Sequence, residues 1–261
     1  MSIVTYINYL LYYNYNIVCS TEGDTMNIIN SKANTLVREI RNLSKKKNRD
    51  KFGLYIIETK KLLDEAIKSN IEIKTIILRE DISDKYDDAV VFSEKLFNSL
   101  SNLVTPDGYM AIVYKKEMLD ISDKVLILDN LQDPGNMGTL IRSCEAFGFN
   151  TIISINSVDY YNEKVLRASM GSNFRLNLIE SNYDQLKELL NHKILIADMG
   201  GKDFNQIEKL DKIALVIGNE GNGISDDIKK LDHELISIPM QGEIESLNAG
   251  VSGSILMSRF S

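Results

Sequence analysis

The sequence predicts an α/β protein of two domains, with a small α/β domain followed by a larger one built on a mostly parallel sheet. From residue 125 onward, short apolar strands alternate with helical segments, as in a parallel sheet covered on both faces. A weakly apolar, mixed-charge stretch at residues 115–124 separates this series from a compact group of elements before it. The length of 261 residues also exceeds what one small domain needs.

The predicted boundaries are residues 1–25 for an N-terminal extension, 26–117 for the first domain and 118–261 for the second. The extension is rich in Tyr and Asn, carries no Lys or Arg and has only short apolar runs. It therefore matches neither a secretory signal nor a membrane span. We expect either a disordered extension or an upstream start codon, with Met26 as the real beginning of the protein.

In the first domain, Leu36, Val37 and Ile40 have helical spacing and predict a helix over residues 34–40. The polar run at residues 44–51 is typical of a loop after that helix. The remaining patterns predict strands at residues 54–57, 75–78, 90–92 and 110–114, and helices at residues 60–69 and 94–100.

In the second domain, apolar runs predict strands at residues 125–128, 151–154, 193–197, 214–217 and 235–238. Helices are predicted between them, at residues 139–147, 163–170, 183–190, 226–231 and 246–257. Ligands of such sheets bind at the carboxyl ends of the strands, so the loops after Leu128, Ile217 and Ile238 are the candidate binding loops.

Charge is spread unevenly along the chain. The formal net charge is −7, yet residues 31–61 carry ten Lys or Arg against three Asp or Glu. A basic segment on an acidic protein predicts one local site for a polyanion. The candidate phosphate contacts are Lys45, Lys46, Lys47, Arg49 and Lys51, and the alternative is a solvated face without a ligand.

The sequence offers little for a metal or a disulfide. Cys19 and Cys144 lie far apart, and His192 and His233 are the only histidines. We therefore expect no metal site, no disulfide framework and a reducing cytoplasm as the location.

The first candidate loop, residues 129–138, runs into a helix that carries Arg142. Pro134 and Gly135 form a turn, and Gly138 allows a close backbone approach. Arg142 can face a phosphate or carboxylate above the sheet, or it can pair on the surface without a ligand. The glycines do not form the G-x-G-x-x-G pattern of a dinucleotide site.

The second loop, residues 218–225, holds three glycines in six residues, with Ser225 as a candidate N-cap. Its main-chain groups can point at a ligand, although a plain glycine-rich turn is the alternative. The third loop and the helix after it, residues 238–253, include Ala249, Gly250 and Gly253. These small residues allow a ligand or another backbone to lie close.

Together the three loops resemble the three motifs of the SpoU/TrmH family of SPOUT methyltransferases. Asn136, Gly138 and Arg142 match the first motif, G-N-E-G-x-G-I-S at residues 218–225 the second, and I-P-M-x-G-x-x-E-S-L-N at residues 238–248 the third. The first domain resembles the family's RNA substrate-binding domain at residues 34–51, 55–58 and 105–113. Thr59 departs from the pattern, because relatives usually have glycine there.

The resemblance implies a trefoil-knotted catalytic domain, an RNA substrate, a homodimer and S-adenosylmethionine as the methyl donor. It assigns the cofactor to Gly218, Asn219, Ile238, Met240 and Leu247. It assigns the chemistry to Asn136, Arg142, Glu220, Ser246 and Asn248. The implied reaction is methylation of a ribose 2′-hydroxyl, with large-subunit ribosomal RNA as the expected substrate.

Three alternatives remain open from the sequence: a tRNA 2′-O-methyltransferase, a methyltransferase of the same fold acting on a base nitrogen, and a non-catalytic RNA-binding member of the fold. In the family, the arginine that corresponds to Arg142 is proposed to take the hydroxyl proton. A guanidinium has a pKa above about 12, so we expect Arg142 to bind phosphate and position the ribose instead.

Overall fold

The computed structural model describes residues 28–117, 119–243 and 246–261. The predictions made for residues 1–25 and for Met26 lie outside this part of the chain. The chain divides into two compact units, residues 1–115 and residues 116–261. Each unit has its own sheet.

The elements of the first unit are α1 (Thr35–Leu43), α2 (Lys46–Phe52), β1 (Leu54–Glu58), α3 (Lys60–Lys68), β2 (Ile73–Arg79), β3 (Val90–Phe92), α4 (Glu94–Asn98) and β4 (Tyr109–Tyr114). Its four strands are ordered β1-β4-β2-β3, with β4 antiparallel to both of its neighbours and β2 parallel to β3. Helix α1 packs its buried residues Val37, Ile40 and Leu43 into the core of this unit.

Two local features differ from the sequence prediction. Residues 44–51 were expected to form a loop, but most of them belong to α2, which ends at Gly53 in a left-handed conformation. Thr59, which replaces the usual glycine, adopts a φ of 96°. A β-branched residue is strained at such an angle, so the glycine that the family resemblance leads us to expect here has a conformational reason. Thr59 also caps α3, since its hydroxyl accepts from the Leu62 N–H.

The second unit contains β5 (Lys124–Asp129), α5 (Pro134–Phe147), β6 (Thr151–Ile155), α6 (Glu163–Ser169), β7 (Asn177–Ser181), α7 (Tyr183–Leu189), β8 (Lys193–Asp203), β9 (Ile213–Ile217), α8 (Asp226–Lys229), β10 (His233–Ser237) and α9 (Ala249–Arg259). Short 3-10 helices at Ser172–Phe174 and Phe204–Gln206 complete it. The six strands are ordered β10-β8-β9-β5-β6-β7, and every neighbouring pair is parallel.

The central strands of this sheet are buried on both faces. Leu126 and Leu128 of β5 point into one apolar cluster, whereas Val125 and Ile127 point into the other, and all four are fully buried. A strand that is covered on both faces has a continuous run of apolar residues. This is why these strands were predictable from the sequence.

Three details of the second unit were not predicted. Strand β7 at the sheet edge was missed because its sequence, N-L-I-E-S, carries only two apolar residues. Helix α5 begins at Pro134 rather than residue 139, with Asp133 as its N-cap. Helix α9 begins at Ala249 rather than residue 246, because Asn248 caps it. The trefoil knot stays a prediction.

Candidate active site

The loops that follow β9 and β10 border one pocket at the carboxyl edge of the six-stranded sheet. Its volume is about 610 Å³. The described lining includes all five predicted cofactor-binding residues and three of the five predicted catalytic residues, namely Gly218, Asn219, Ile238, Met240, Leu247, Glu220, Ser246 and Asn248. The pocket therefore brings the second and third predicted loops together.

The lining combines apolar side chains with main-chain groups. Ile217, Ile238 and Leu256 supply apolar surface, and the glycine-rich loop brings main-chain atoms to the lining. An adenine ring needs a flat apolar slot together with a few backbone hydrogen bonds, and a lining of this composition suits such a ring. The residues present thus fit a nucleoside-containing cofactor such as S-adenosylmethionine.

Gly218 is required by the local backbone. A Cβ atom at this position would lie 2.5 Å from the Gly223 carbonyl oxygen, a distance that real Cβ atoms do not show. Asn219 and Gly223 exchange two backbone hydrogen bonds, which close the loop into a tight turn. The Asn219 side-chain oxygen accepts from the N–H groups of Gly221 and Asn222. Only glycine at position 218 permits this compact arrangement.

Asn136 joins the first predicted loop to the other two. Its side-chain amide donates to a Glu220 carboxylate oxygen at 2.9 Å. A Cβ atom built on Gly250, near the start of α9, would lie 3.3 Å from the Asn136 side-chain oxygen. Asn136 is itself buried, with 7% of its surface exposed. The first loop, which is far from the other two in sequence, therefore meets both of them around one amide.

The carboxylate of Asp129, at the end of β5, binds residues of both the first and the second loop. It is fully buried and accepts from the Tyr183 hydroxyl, the Asn130 amide and the Ser225 N–H. A buried carboxylate requires such partners, because an unpaired one is very costly. Asp129 was not among the predicted site residues, although a charged residue that ends an apolar strand was the available signal.

Arg142 lies apart from this group. It is exposed on α5, about one and a half turns beyond Asn136, and it is not part of the pocket lining. Within the described residues its guanidinium has no hydrogen bond or ion pair. The side chain is therefore free to bind a ligand or a second protein chain. Cys144, two residues further on, is buried against Met257, and burial raises the pKa of its thiol.

The pocket also includes residues that the sequence analysis missed. Pairing between β8 and β10 jumps from Ile196 to Lys202, so residues 197–201 leave the ladder. Ala197, Asp198 and Met199 of this bulge line the pocket. They follow the carboxyl end of an apolar run, so the rule that selected the other loops would also have selected this one.

The basic segment of the first unit is less uniform than predicted. Lys45, Lys46, Lys47 and Lys51 are exposed, and Lys46 forms an ion pair with Asp50. Arg49, in contrast, is only 8% exposed, and its guanidinium donates to the carbonyls of Leu43 and Ser44 at 2.8 and 2.9 Å. Arg49 thus satisfies carbonyls at the end of α1. This is a correction to its predicted phosphate contact, because the side chain is committed inside the domain.

Neither a metal site nor a membrane span emerges from the described residues. No group of three or more His, Cys, Asp or Glu there is placed to hold a metal ion. None of the helices in this part of the chain has the length and apolar character needed to cross a membrane.

Solved structures with the same fold are known. A TrmH-family protein from Porphyromonas gingivalis is 26% identical, with a TM-score of 0.75 over 85% of this chain and 95% of the other. An rRNA methyltransferase from Sinorhizobium meliloti with bound AdoMet gives a TM-score of 0.76 at 24% identity, over 90% of this chain and 97% of the other. The fold and the glycine-lined pocket at the carboxyl edge of the sheet define a SPOUT methyltransferase.

Sequence comparison gives the family. Residues 123–258 match the SpoU rRNA methylase family, and residues 34–111 match an MRM3-like substrate-binding domain. A 23S rRNA (guanosine(2553)-2′-O)-methyltransferase of Bacillus subtilis is 30% identical over 89% of this chain and 98% of its own length. The mitochondrial rRNA methyltransferase 3 of Xenopus tropicalis is 28% identical over 81% of this chain and 70% of its own length.

The chain belongs to the SpoU rRNA methylase family. It is an RNA methyltransferase, and its methyl donor is S-adenosylmethionine. The resemblance inferred from the three loop motifs is confirmed.

Proposed function

We propose that this enzyme methylates a ribose 2′-hydroxyl in large-subunit ribosomal RNA. The observation that carries the proposal is the meeting of Asn136, Glu220 and the start of α9 beside a pocket suited to S-adenosylmethionine. The Bacillus subtilis relative, which carries the same reaction in its name, supports the choice of atom and RNA. By that relationship, the proposed target is the nucleotide equivalent to guanosine 2553 of 23S rRNA.

Bound S-adenosylmethionine supplies a methyl group on a positively charged sulfur. The protein must then align the attacking oxygen with that methyl group and accept or relay one proton. We assign Gly218, Asn219, Ile238, Met240 and Leu247 to holding the cofactor.

The remaining predicted residues receive positioning roles in this proposal. Glu220 and Asn136 hold each other and fix the relation between the first two loops. Ser246 and Asn248 lie at the pocket beside the start of α9, where they can contact the ribose. Arg142 binds an RNA phosphate and places the ribose, since a guanidinium retains its proton at neutral pH.

A homodimer fits the position of Arg142. The side chain is exposed, has no partner among the described residues and does not line the pocket of its own chain. We propose that Arg142 of one chain serves the pocket of a second copy, so that the site is complete only in the dimer.

The four exposed lysines of the first unit, Lys45, Lys46, Lys47 and Lys51, are proposed RNA phosphate contacts. The match to a substrate-binding domain over residues 34–111 supports this assignment. A cytoplasmic location, and the boundaries given for the two domains, stay predictions.

The decisive experiment is methyl transfer from labelled S-adenosylmethionine to unmodified 23S ribosomal RNA and to transfer RNA. A 2′-O-methyl group blocks alkaline cleavage of the adjacent linkage, so alkali-resistant sites map the modified nucleotide. We expect one resistant site, in 23S rRNA. Transfer to transfer RNA alone, to a base nitrogen, or to neither RNA would each contradict the proposal.

A further inference from the structure

A second, smaller pocket lies on the other side of the glycine-rich loop. Its volume is about 440 Å³, and its described lining consists of Asn130, Gln132, Asn219, Asn222, Gly223 and Ser225. Asn219 and Gly223 also line the cofactor pocket, so the two pockets share one wall. A group bound in the second pocket would therefore lie next to the methyl donor.

The lining is polar but uncharged. Four of its six residues carry a side-chain carboxamide, and none carries an ionic group. Asp129 lies behind the lining, but its carboxylate is fully buried and engaged by three donors. An RNA phosphate would find no cation here. Carboxamides instead suit the edges of nucleobases, which they read through paired donors and acceptors.

The internal hydrogen bonds determine which carboxamide atoms remain available. The Asn130 amide nitrogen donates to Asp129, whose carboxylate can only accept, and no described residue donates to the Asn130 side-chain oxygen. The Gln132 amide nitrogen donates to the carbonyls of Asn130 and Asn156, and its oxygen likewise has no donor in the described part of the chain. The Asn219 side chain is already engaged, because its oxygen accepts from the Gly221 and Asn222 N–H groups and its nitrogen donates to the Asn130 carbonyl of the first loop.

Asn222 provides the remaining group. Its side chain makes no hydrogen bond within the described residues, so its amide can donate to a ligand. The pocket thus offers two acceptors, from Asn130 and Gln132, together with one donor, from Asn222. The Watson–Crick edge of guanine presents the complementary set, with two donors at N1 and N2 and one acceptor at O6.

We propose that this pocket binds the guanine base of the nucleotide that is methylated. A base held there would place its own ribose at the shared wall, beside the cofactor pocket. Single-stranded RNA bases are commonly unstacked and read on this edge by proteins. The inference rests on the proposed RNA ribose methylation and adds to it the residues that select the base.

The test compares two synthetic RNA hairpins that differ only in the base at the methylated position. One carries guanine, and the other carries hypoxanthine, the base of inosine, which lacks the N2 amino group. We expect the wild type to prefer the guanine hairpin by about tenfold in kcat/KM, the value of one hydrogen bond. A hairpin with 7-deazaguanine retains the Watson–Crick edge and should react like guanine.

Gln132→Ala removes one proposed acceptor. With Gln132 assigned to the N2 amino group and Asn130 to N1, we expect it to lower kcat/KM for the guanine hairpin about tenfold and to abolish the preference over inosine. Affinity for S-adenosylmethionine should stay unchanged. Gln206→Ala, which removes an exposed carboxamide outside the pocket, is the matched control and should retain the preference.

Asn222→Ala provides an independent check, because the Asn222 side chain makes no hydrogen bond within the described residues. It should weaken use of the guanine hairpin several-fold, but it should not further weaken a 2-aminopurine hairpin, which lacks O6. Fluorescence anisotropy without cofactor measures the affinity of each variant for each hairpin. These affinities should rank the variants and hairpins in the same order as their kcat/KM values.

Two failures can be told apart. If Gln132→Ala keeps the full preference for guanine over inosine, or if the wild type has none, the base-binding pocket is refuted. If the wild type transfers no methyl group to the guanine hairpin or to 23S rRNA, the proposed reaction fails, and the anisotropy comparison still decides whether the pocket reads guanine.

Discussion

The three loops of the second unit meet in the structure as the sequence predicts, whereas the side chains of the basic segment of the first unit do not share one environment. Asn136 of the first loop and Glu220 of the second are 84 residues apart in the chain, yet they share a hydrogen bond, and Gly250 approaches the same asparagine. The basic segment is contiguous, yet Arg49 is buried while Lys45 and Lys47 are exposed. Sequence patterns that reflect backbone constraints therefore predicted which residues meet in the structure. A run of like charges did not indicate the role of each of its side chains.

The physical reason lies in what each residue type requires. Glycine at position 218 and the cap at Ser225 are demanded by local backbone geometry, which the sequence encodes directly. The role of a basic side chain depends on which carbonyls or carboxylates approach it after packing. Mutations can break or sharpen this contrast, and four are described from the largest expected effect to the smallest.

Arg142→Ala is expected to have the largest effect. Loss of a group that positions the reacting ribose should lower methyl transfer about a thousandfold. Because Arg142 is exposed and unpaired within the described residues, the unfolding midpoint and the affinity for S-adenosylmethionine should not change. Methyl transfer to 23S rRNA, calorimetry of cofactor binding and thermal unfolding measure the three quantities.

Arg175→Ala is the control for that experiment. Arg175 is a second arginine of the same unit, and its guanidinium pairs with Glu145 of α5. Its loss should leave transfer close to wild type. Full activity of Arg142→Ala would show that this arginine is not part of the active site. The site formed by the three loops would then lack the proposed arginine.

Gly218→Ala tests the backbone requirement of the second loop. The added Cβ atom would lie 2.5 Å from the Gly223 carbonyl oxygen, so the loop must open. Overpacking of this size costs about 3 kcal/mol, which corresponds to about a hundredfold loss of cofactor affinity if the whole cost falls on the loop. Calorimetric titration with S-adenosylmethionine measures it.

Gly221→Ala is the matched control in the same loop. The nearest atom to its added Cβ would be the Asn219 side-chain oxygen at 3.6 Å, an ordinary contact. Its affinity should stay within about twofold of wild type, an energy below about 0.5 kcal/mol. Equal losses in both variants would mean that the loop tolerates no side chain anywhere, and that position 218 is not special.

Most of the architecture was predictable from the sequence, and the misses have specific causes. Strand β7 was missed because an edge strand needs few apolar residues, and α2 because its sequence is almost wholly polar. At the site, eight predicted residues line the pocket, yet Asp129 and the bulge at residues 197–201 were overlooked. For both, the end of an apolar strand was the available sequence signal, but the hydrogen bonds and strand pairing that bring them to the pocket join residues distant in sequence.

Arg49→Ala should act on stability rather than on RNA. The buried guanidinium donates to two carbonyls at the end of α1, and its removal leaves both without that donor. Loss of hydrogen bonds to a charged group costs about 2 kcal/mol in the free energy of unfolding. Urea unfolding measures the change, and Lys47→Ala, an exposed change on the same helix, should stay within about 0.5 kcal/mol of wild type. Equal stability of both variants would contradict the structural role of Arg49.

The smallest expected effect concerns the two exposed lysines that have no partner within the described residues, Lys45 and Lys47. Each phosphate contact releases counterions, so a double change to alanine should reduce the slope of log affinity against log salt by about 1 to 2. Fluorescence anisotropy with a 23S rRNA fragment at several salt concentrations measures the slope.

Lys46 offers the contrast within the same run, because its ammonium is paired with Asp50 at 2.9 Å. An ammonium that already has a carboxylate partner contributes less to phosphate binding, so Lys46→Ala should change the slope less than either neighbour does. If the slope is unchanged when Lys45 and Lys47 are both removed, the run is a solvated face. RNA recruitment must then be assigned to Lys51 or to other surfaces of the first unit. The contrast between the loops and the charge run would become sharper, since the two lysines without a partner in the described residues would lack the role that their charge suggested.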